Sequence, residues 1–155
     1  MARTKIEMKG LESVIKDLNK LGKSISTPIK TGMTKATNKC KRLAKEECPT
    51  NKDLKITGGS LKESIHSEVR SKAEQIVGEV STNKEYAAYV EFGTGQRGMA
   101  TNTNTEVEVS YRADWAGQKA HPYMYPAFTQ TKEELPKFLK NEMDKVLRGR
   151  RNWKN

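Results

Sequence analysis

Apolar residues recur at intervals of three and four positions in two stretches of the N-terminal third of the chain. The first stretch predicts a helix over about 11–22 that ends at Gly22. The second predicts a longer helix over about 26–47, with Pro28 in its first turn and Pro49 beyond its end. The two apolar stripes are Leu11, Val14, Ile15, Leu18 and Leu21, then Ile29, Met33, Ala36, Cys40 and Leu43.

The pattern changes to alternation in the middle of the chain, which predicts strands over about 64–92. Ile65, Ser67 and Val69 share one side of a first candidate strand, and Ile76, Gly78 and Val80 share one side of a second. The short connection between them is typical of a hairpin. The aromatic run 86–92 predicts a third strand that ends at Gly93. These three segments therefore predict a small antiparallel sheet.

Residues 94–120 predict a long loop, because they are polar and rich in glycine and have no helical period. Val107, Val109 and Tyr111 alternate with polar neighbours, which predicts a short strand inside the loop. Structureless loops of this length are uncommon and are often functional or disordered. We expect this one to be mobile in the free protein and ordered on assembly.

The C-terminal part predicts a helical region over about 126–149, followed by a basic tail at 150–155. Pro136 predicts a kink or a fresh helix start, and the spacing of Thr131 and Glu134 fits a capping box at such a start. The element order predicts a single α+β domain over 1–155. In it, two N-terminal helices and a C-terminal helix pack on a small antiparallel β-sheet with a long loop.

Composition limits the possible functions. The 155 residues are too few for a barrel enzyme or a two-domain nucleotide enzyme, and only 34% are hydrophobic, so we expect a thin core. No apolar run is long enough for a membrane span, and the N-terminus has no signal-peptide pattern, so we expect synthesis in a cytoplasm and no membrane partner.

The net charge of +10 is concentrated at the two ends of the chain. Residues 1–50 carry +7 and residues 129–155 carry +4, whereas the middle of the chain carries −1. A basic face of the second helix is a candidate for DNA, for an acidic partner or for plain solvation. No DNA-binding motif accompanies it, so sequence-specific reading is not predicted. The face consists of Lys35, Lys39, Arg42 and Lys45.

Motifs for catalysis or cofactors are weak. The run Gly93–Gly98 has G-x-G-x-x-G spacing but no helix pattern after it, and Cys40 and Cys48 form no metal-binding pair, so no cofactor, metal or enzymatic activity is predicted. Glu85 and Glu91 lie on one side of the predicted third strand, where an acid–base pair is less favoured than a solvent-facing row. Glu91, next to a glycine turn, is interpreted as an anchor to a neighbouring backbone or subunit.

Three segments, taken in order, resemble neck proteins of long-tailed bacteriophages and prophages. These are the "gene product ten"-like head–tail joining or tail-completion proteins, and the resemblance covers about residues 8–148. It is carried by Cys48-Pro49 with Thr57–Ile65, by Tyr-Ala-Ala-Tyr-Val-Glu-Phe-Gly-Thr at 86–94, and by His-Pro-Tyr-Met-Tyr-Pro-Ala-Phe at 121–128.

The resemblance implies a structural virion protein that forms a ring, of six copies in the family's setting, at the neck or tail top. Its partners would be head-connector or head-closure proteins and tail tube or tail terminator proteins, with genomic double-stranded DNA passing through the lumen. One alternative is the tail terminator that caps the tube; another, of a different class, is a basic DNA-binding accessory protein. The candidate interface residues are Glu91, Phe92, Gly93, Thr94, Pro122, Tyr123 and Tyr125, for which core packing of the tyrosines is the alternative.

Overall fold

The structure is a computed structural model that describes residues 4–8, 26–50, 60–72, 75–104 and 106–151. The helix predicted over 11–22 and the end of the basic tail lie outside the described residues. Helices and an antiparallel sheet alternate along the chain, so the α+β prediction is confirmed. The elements are β1 (Thr4–Met8), α1 (Ser26–Glu47), α2 (Ser60–Ser64), β2 (His66–Lys72), β3 (Gln75–Thr82), α3 (Ala87–Phe92), α4 (Gly95–Thr101) and α5 (Met124–Arg151).

The sheet has three strands in the order β1-β3-β2, and both pairs are antiparallel. The predicted hairpin is the β2–β3 pair, in which Val69 lies opposite Gly78. The first strand, β1, was not anticipated from the pattern, and it places Ile6 opposite Val80. With β3 in the centre, β1 and β2 are the two edges of the sheet among the described residues.

Helix α1 lies at the range that the pattern predicts, and it packs along α5 and against the sheet. Its apolar stripe is buried and contributes to two neighbouring core clusters. One joins Ile29, Met33 and Ala36 to Leu135 and Leu139 of α5. The other joins Cys40 and Ala44 to a group that includes Tyr123. Burying a large apolar side chain contributes about 1.5–3 kcal/mol, so this shared stripe stabilises the whole layer arrangement.

A glycine allows α1 to lie directly on the central strand. A Cβ added to Gly78 would stand 2.4 Å from Cγ2 of Thr37 and 2.9 Å from Sδ of Met33, both on α1. Real Cβ atoms do not approach other atoms so closely, so a larger residue would have to displace these side chains of α1. The glycine on the inner face of β3 therefore allows the close packing of the two layers.

The prediction of a third strand over 86–92 is wrong, because this segment forms helix α3, Ala87–Phe92. Its two fully buried side chains, Ala87 and Glu91, are four residues apart, which is helical spacing. A strand would place Tyr89 on the same face as the buried Ala87 and Glu91, but Tyr89 is 59% exposed. Aromatic content favoured a strand, but tertiary packing favours the helix.

Two further predictions are corrected in the second half of the chain. Residues 107–111 form no strand, and the predicted loop 94–120 contains helix α4 instead. The C-terminal helix begins at Met124 and continues through Pro136 without a fresh start. The hydroxyl of Thr131 donates to the carbonyl of Ala127 within the helix, so it does not cap a new one. Buried Leu135 and Leu139 hold this stretch against α1 on either side of the proline.

Candidate assembly surface

The buried carboxylate of Glu91 joins α3 to the beginning of α5. Its Oε2 accepts hydrogen bonds from the backbone N–H of Tyr123 and of Met124, and its Oε1 accepts one from Tyr125, each with an N···O distance of 2.9 Å. The side chain is only 2% exposed. A charge buried to this extent is costly unless it is fully hydrogen-bonded, and here three donors satisfy it.

These donors are the free N–H groups that every helix leaves at its N-terminus. Four such groups have no partner inside a helix, and in α5 the fourth is absent because residue 126 is proline. The helix dipole also favours a negative charge at this end. Glu91 therefore serves as a long-range cap, and its interpretation as an anchor to a neighbouring backbone agrees with this geometry, the backbone being the chain's own.

Directly after this anchor, Gly93 turns the chain into the segment that returns to α5. Gly93 has φ +71° and ψ −173°, a region that only glycine occupies without strain. A Cβ at this position would stand 2.6 Å from the backbone N of Ala120 and 2.7 Å from the carbonyl oxygen of Gln118. The outgoing and returning backbones therefore touch at Gly93.

Backbone hydrogen bonds join the beginning of this segment, residues 94–96, to its end, residues 115–118. The N–H of Thr94 donates to the carbonyl of Gln118 at 2.9 Å, and the N–H of Gln96 donates to that of Trp115 at 2.9 Å. At the base, the N–H of His121 donates to the carbonyl of Val90 at 2.8 Å. A single copy thus gives the segment backbone partners, and its mobility in the free protein stays a prediction.

An apolar groove of about 360 Å³ lies between α3 and this return segment. Two of its lining residues are joined by a hydrogen bond, which the Tyr111 hydroxyl donates to the carbonyl of Phe92 at 2.8 Å. Two aromatic residues beside it remain open to solvent, with Tyr89 59% and Trp115 54% exposed. Exposed aromatic side chains around an apolar depression are typical of protein interfaces. The groove is lined in part by Ala88, Tyr89, Phe92, Val109, Tyr111 and Trp115.

The seven candidate interface residues divide into two groups. Glu91, Gly93 and Tyr123 are buried inside the chain, where they build the support of the groove. Phe92 and Thr94 line the groove, while Pro122 and Tyr125 are half-buried beside the start of α5. The sequence reasoning did not single out Tyr89 or Trp115, the exposed aromatic residues of the groove, although Trp115 lies within the loop 94–120 that it included in the assembly region.

The candidate basic face of α1 is largely paired with carboxylates of the same chain. The Lys35 ammonium lies 2.5 Å from Glu142 and that of Lys39 lies 2.5 Å from Glu134, both on α5. Arg42 pairs with Glu46 one turn along α1 at 2.8 Å. Three of the four predicted cations therefore contribute to the α1–α5 contact or to the helix itself, and their charge is partly neutralised within the fold.

Glu85 and Glu91 are not placed together for acid–base chemistry. Glu85 is exposed in the turn before α3, whereas Glu91 is buried and occupied by three N–H donors. Cys40 and Cys48 are both buried, and burial raises the pKa of the Cys40 thiol to about 11. Among the residues that the structure describes, no group of His, Cys, Asp or Glu side chains could hold a metal ion.

No helix in the described ranges is both long and apolar enough to cross a membrane.

Comparison with known families bears directly on this site. Residues 12–93 match the model of the family described as "Bacteriophage HK97-gp10, putative tail-component". The chain belongs to this family of bacteriophage tail components. The match ends at Gly93, so it includes Glu91 and the α3 side of the groove, while the return segment and α5 lie beyond it. No curated protein and no solved structure matches the chain.

Proposed function

We propose that this protein is a structural, non-enzymatic component of the phage virion that joins head to tail or completes the tail at its top. Membership of the tail-component family carries the proposal. The apolar groove supports it, because a subunit of an assembly needs a surface to bury against its neighbours. Glu91 connects α3, which lines the groove, to the start of α5, so the groove is already formed in a single copy.

A closed ring is the form of assembly that we propose, with six copies as the working number. Head-to-tail contacts between identical subunits generate a ring when the rotation between them closes. Tyr89, Phe92 and Trp115 would lose their exposed apolar area in such a contact. The low hydrophobic fraction of the chain is consistent with a subunit that gains part of its stability from neighbours.

In this position the ring would bind a head-connector or head-closure protein on one side and the tail tube or terminator on the other. Genomic DNA would pass through its lumen. The pairing of Lys35 and Lys39 with Glu142 and Glu134 supports a conduit rather than a DNA-holding role, since paired lysines release few counterions on binding DNA. Weak binding suits a channel through which DNA must move.

The proposal is tested by complementing a phage that lacks this gene with the chain or with groove variants. Trp115→Ala with Tyr89→Ala should leave folded protein but cause filled heads and finished tails to accumulate separately, as seen by electron microscopy. Leu147→Ala is the matched control, because Leu147 is an apolar side chain that is 52% exposed on α5, away from the groove. Normal virion yield with the groove variant would contradict the proposal.

The same experiment separates the two tail roles. Tails of uncontrolled length in the absence of the protein are expected for a terminator that caps the tube. Tails of normal length that fail to attach to heads are expected for a joining or completion protein, and this is the result that we predict.

The DNA-binding alternative has its own test. Titration with duplex DNA over a salt series should give weak binding with a shallow salt slope, because Lys35, Lys39 and Arg42 of the candidate face are already paired with carboxylates. Tight binding with a steep slope, from a chain that stays monomeric when concentrated, would favour the accessory role over the ring.

A further inference from the structure

Residues 108–112 form no strand within one copy, but their burial pattern is that of a β-strand. Burial alternates along them, with Val109 and Tyr111 half-buried against the groove and Glu108, Ser110 and Arg112 exposed. Such alternation is the mark of a strand with one face on a core. In the described ranges their backbone N–H and C=O groups form no hydrogen bond, whereas pairing resumes at residues 113–116.

Among the described strands, β2 is an edge strand that pairs on one side only. Alternate residues of its seven therefore direct backbone N–H and C=O groups away from β3. No other strand of the described residues pairs with that side. Val69, half-buried at the edge, belongs to the margin of the α1–α5 core cluster, so an added strand would extend an existing apolar layer.

We propose that residues 108–112 of one copy add as an antiparallel strand to the free edge of β2 in the next copy. This inference rests on the self-assembly proposed above. Backbone hydrogen bonds would supply affinity, and the side-chain pattern would fix the register.

Charge complementarity and side-chain pairing favour one register. An antiparallel pairing that sets Glu108 opposite Lys72 also sets Arg112 opposite Glu68, so both charged pairs are of opposite sign. The same register places Tyr111 beside Val69 on the other face, an aromatic and β-branched pair. The apolar face of the added strand would still rest on the groove of its own copy, and the two subunits would share one continuous layer.

A charge-reversal cycle tests this register on the full-length chain. Glu108→Lys and Lys72→Glu should each weaken self-association at least fivefold in sedimentation experiments, while circular dichroism stays unchanged. The double variant Glu108→Lys with Lys72→Glu should return to within about threefold of the starting value. Two single variants without effect, or a double variant that shows no rescue, would overturn the inference.

Cysteine trapping provides a second, independent measurement. Glu108→Cys combined with Lys72→Cys should give disulfide-linked multimers on mild oxidation, because residues opposite each other lie within disulfide distance. Glu108→Cys combined with Lys5→Cys, on the β1 edge, is the matched control and should give none. Rings that form without trapping in the first pair would refute the strand exchange and leave the ring intact, whereas a chain that is monomeric at every concentration would refute both.

Discussion

Oε2 of Glu91 lies 2.9 Å from the backbone N of Met124, the first residue of α5, across 33 positions of sequence. One short helix thereby supplies the cap of α5, the longest of the described helices. The contact also fixes the direction in which the family motif of α3 meets the start of α5, so the groove beside it depends on this carboxylate.

Glu91→Gln should lower the free energy of unfolding by about 2–3 kcal/mol. The amide has a single acceptor oxygen, and its NH₂ would face N–H donors that then lose their charged partner. Urea unfolding followed by circular dichroism measures the change. Glu85→Gln, in the exposed turn before α3, is the control and should shift stability by less than about 0.5 kcal/mol. Equal effects of the two substitutions would refute the capping role.

Tyr123→Phe should leave stability unchanged or raise it by up to about 1 kcal/mol. The Tyr123 hydroxyl is buried without a hydrogen-bond partner among the described residues, so its removal eliminates a desolvated polar group and leaves the ring in place. Tyr123→Ala should instead cost about 3–5 kcal/mol through the cavity that it leaves. A loss of more than about 1 kcal/mol in the phenylalanine variant would mean that the hydroxyl has a partner.

The same tyrosine predicts a loss of stability in alkaline solution. Burial, and then the neighbouring Glu91, raise the pKa of Tyr123 above its ordinary value of 10.0. The neutral phenol is thus favoured in the folded state. The stability that Tyr123 contributes is therefore fully present below pH 10 and is lost as the pH rises further. Unfolding curves between pH 9 and 11 should show a smaller decline in Tyr123→Phe than in the natural chain. Parallel declines would exclude this residue as the cause.

Gly93→Ala should destabilise the protein by more than about 2 kcal/mol. The methyl group meets the backbone of Ala120, and the φ of +71° is strained for any residue with a Cβ. Thermal unfolding measures the cost. Ala100→Gly, on the exposed side of α4, serves as a comparison and should cost only about 1 kcal/mol. If the alanine variant is as stable as the natural chain, the close contact at this turn is not formed.

An acid-dependent contribution is expected from Glu142. Hydrogen bonds from Lys145 and then Lys35 lower the pKa of this carboxyl below its ordinary value of 4.5. A depressed folded-state pKa adds stability that is present above pH 4.5 and is lost as the pH falls through the lower folded value. The stability difference between the natural chain and Glu142→Gln should therefore shrink between pH 6 and pH 3. A difference that is constant over this range would contradict the pairing.

The helices α1 and α5 were accessible from sequence because their apolar stripes follow a helical period over many turns. Ile29, Met33 and Ala36 are spaced for one face, and that face is buried. The β2–β3 hairpin could also be predicted from sequence, because alternation over two adjacent runs indicates strands. Long periodic patterns left little freedom for tertiary packing to alter them.

The short elements were not accessible, because packing decides their form. The run Tyr86–Phe92 has the composition of a strand, yet its buried members are an alanine and a carboxylate at helical spacing. Nothing local indicates that Glu91 finds three donors 32 to 34 positions away. Pro136 likewise signals a break, but the buried leucines beside it hold the helix against α1. The groove could not be predicted from sequence, because it forms only where residues 118–120 return to Gly93 in the folded chain.

The backbone of Thr94 is hydrogen-bonded to that of Gln118, and the backbone of Val90 to that of His121. The segment between residues 94 and 118 therefore begins and ends at neighbouring positions of the fold. Its length is consequently independent of the core, since enlarging a flexible loop costs free energy only with the logarithm of its size. An epitope tag placed after the exposed Thr103 should be carried without unfolding the protein. The virion would then bear a label at a known distance in sequence from the contact surface, which would reveal by microscopy where in the particle this subunit resides.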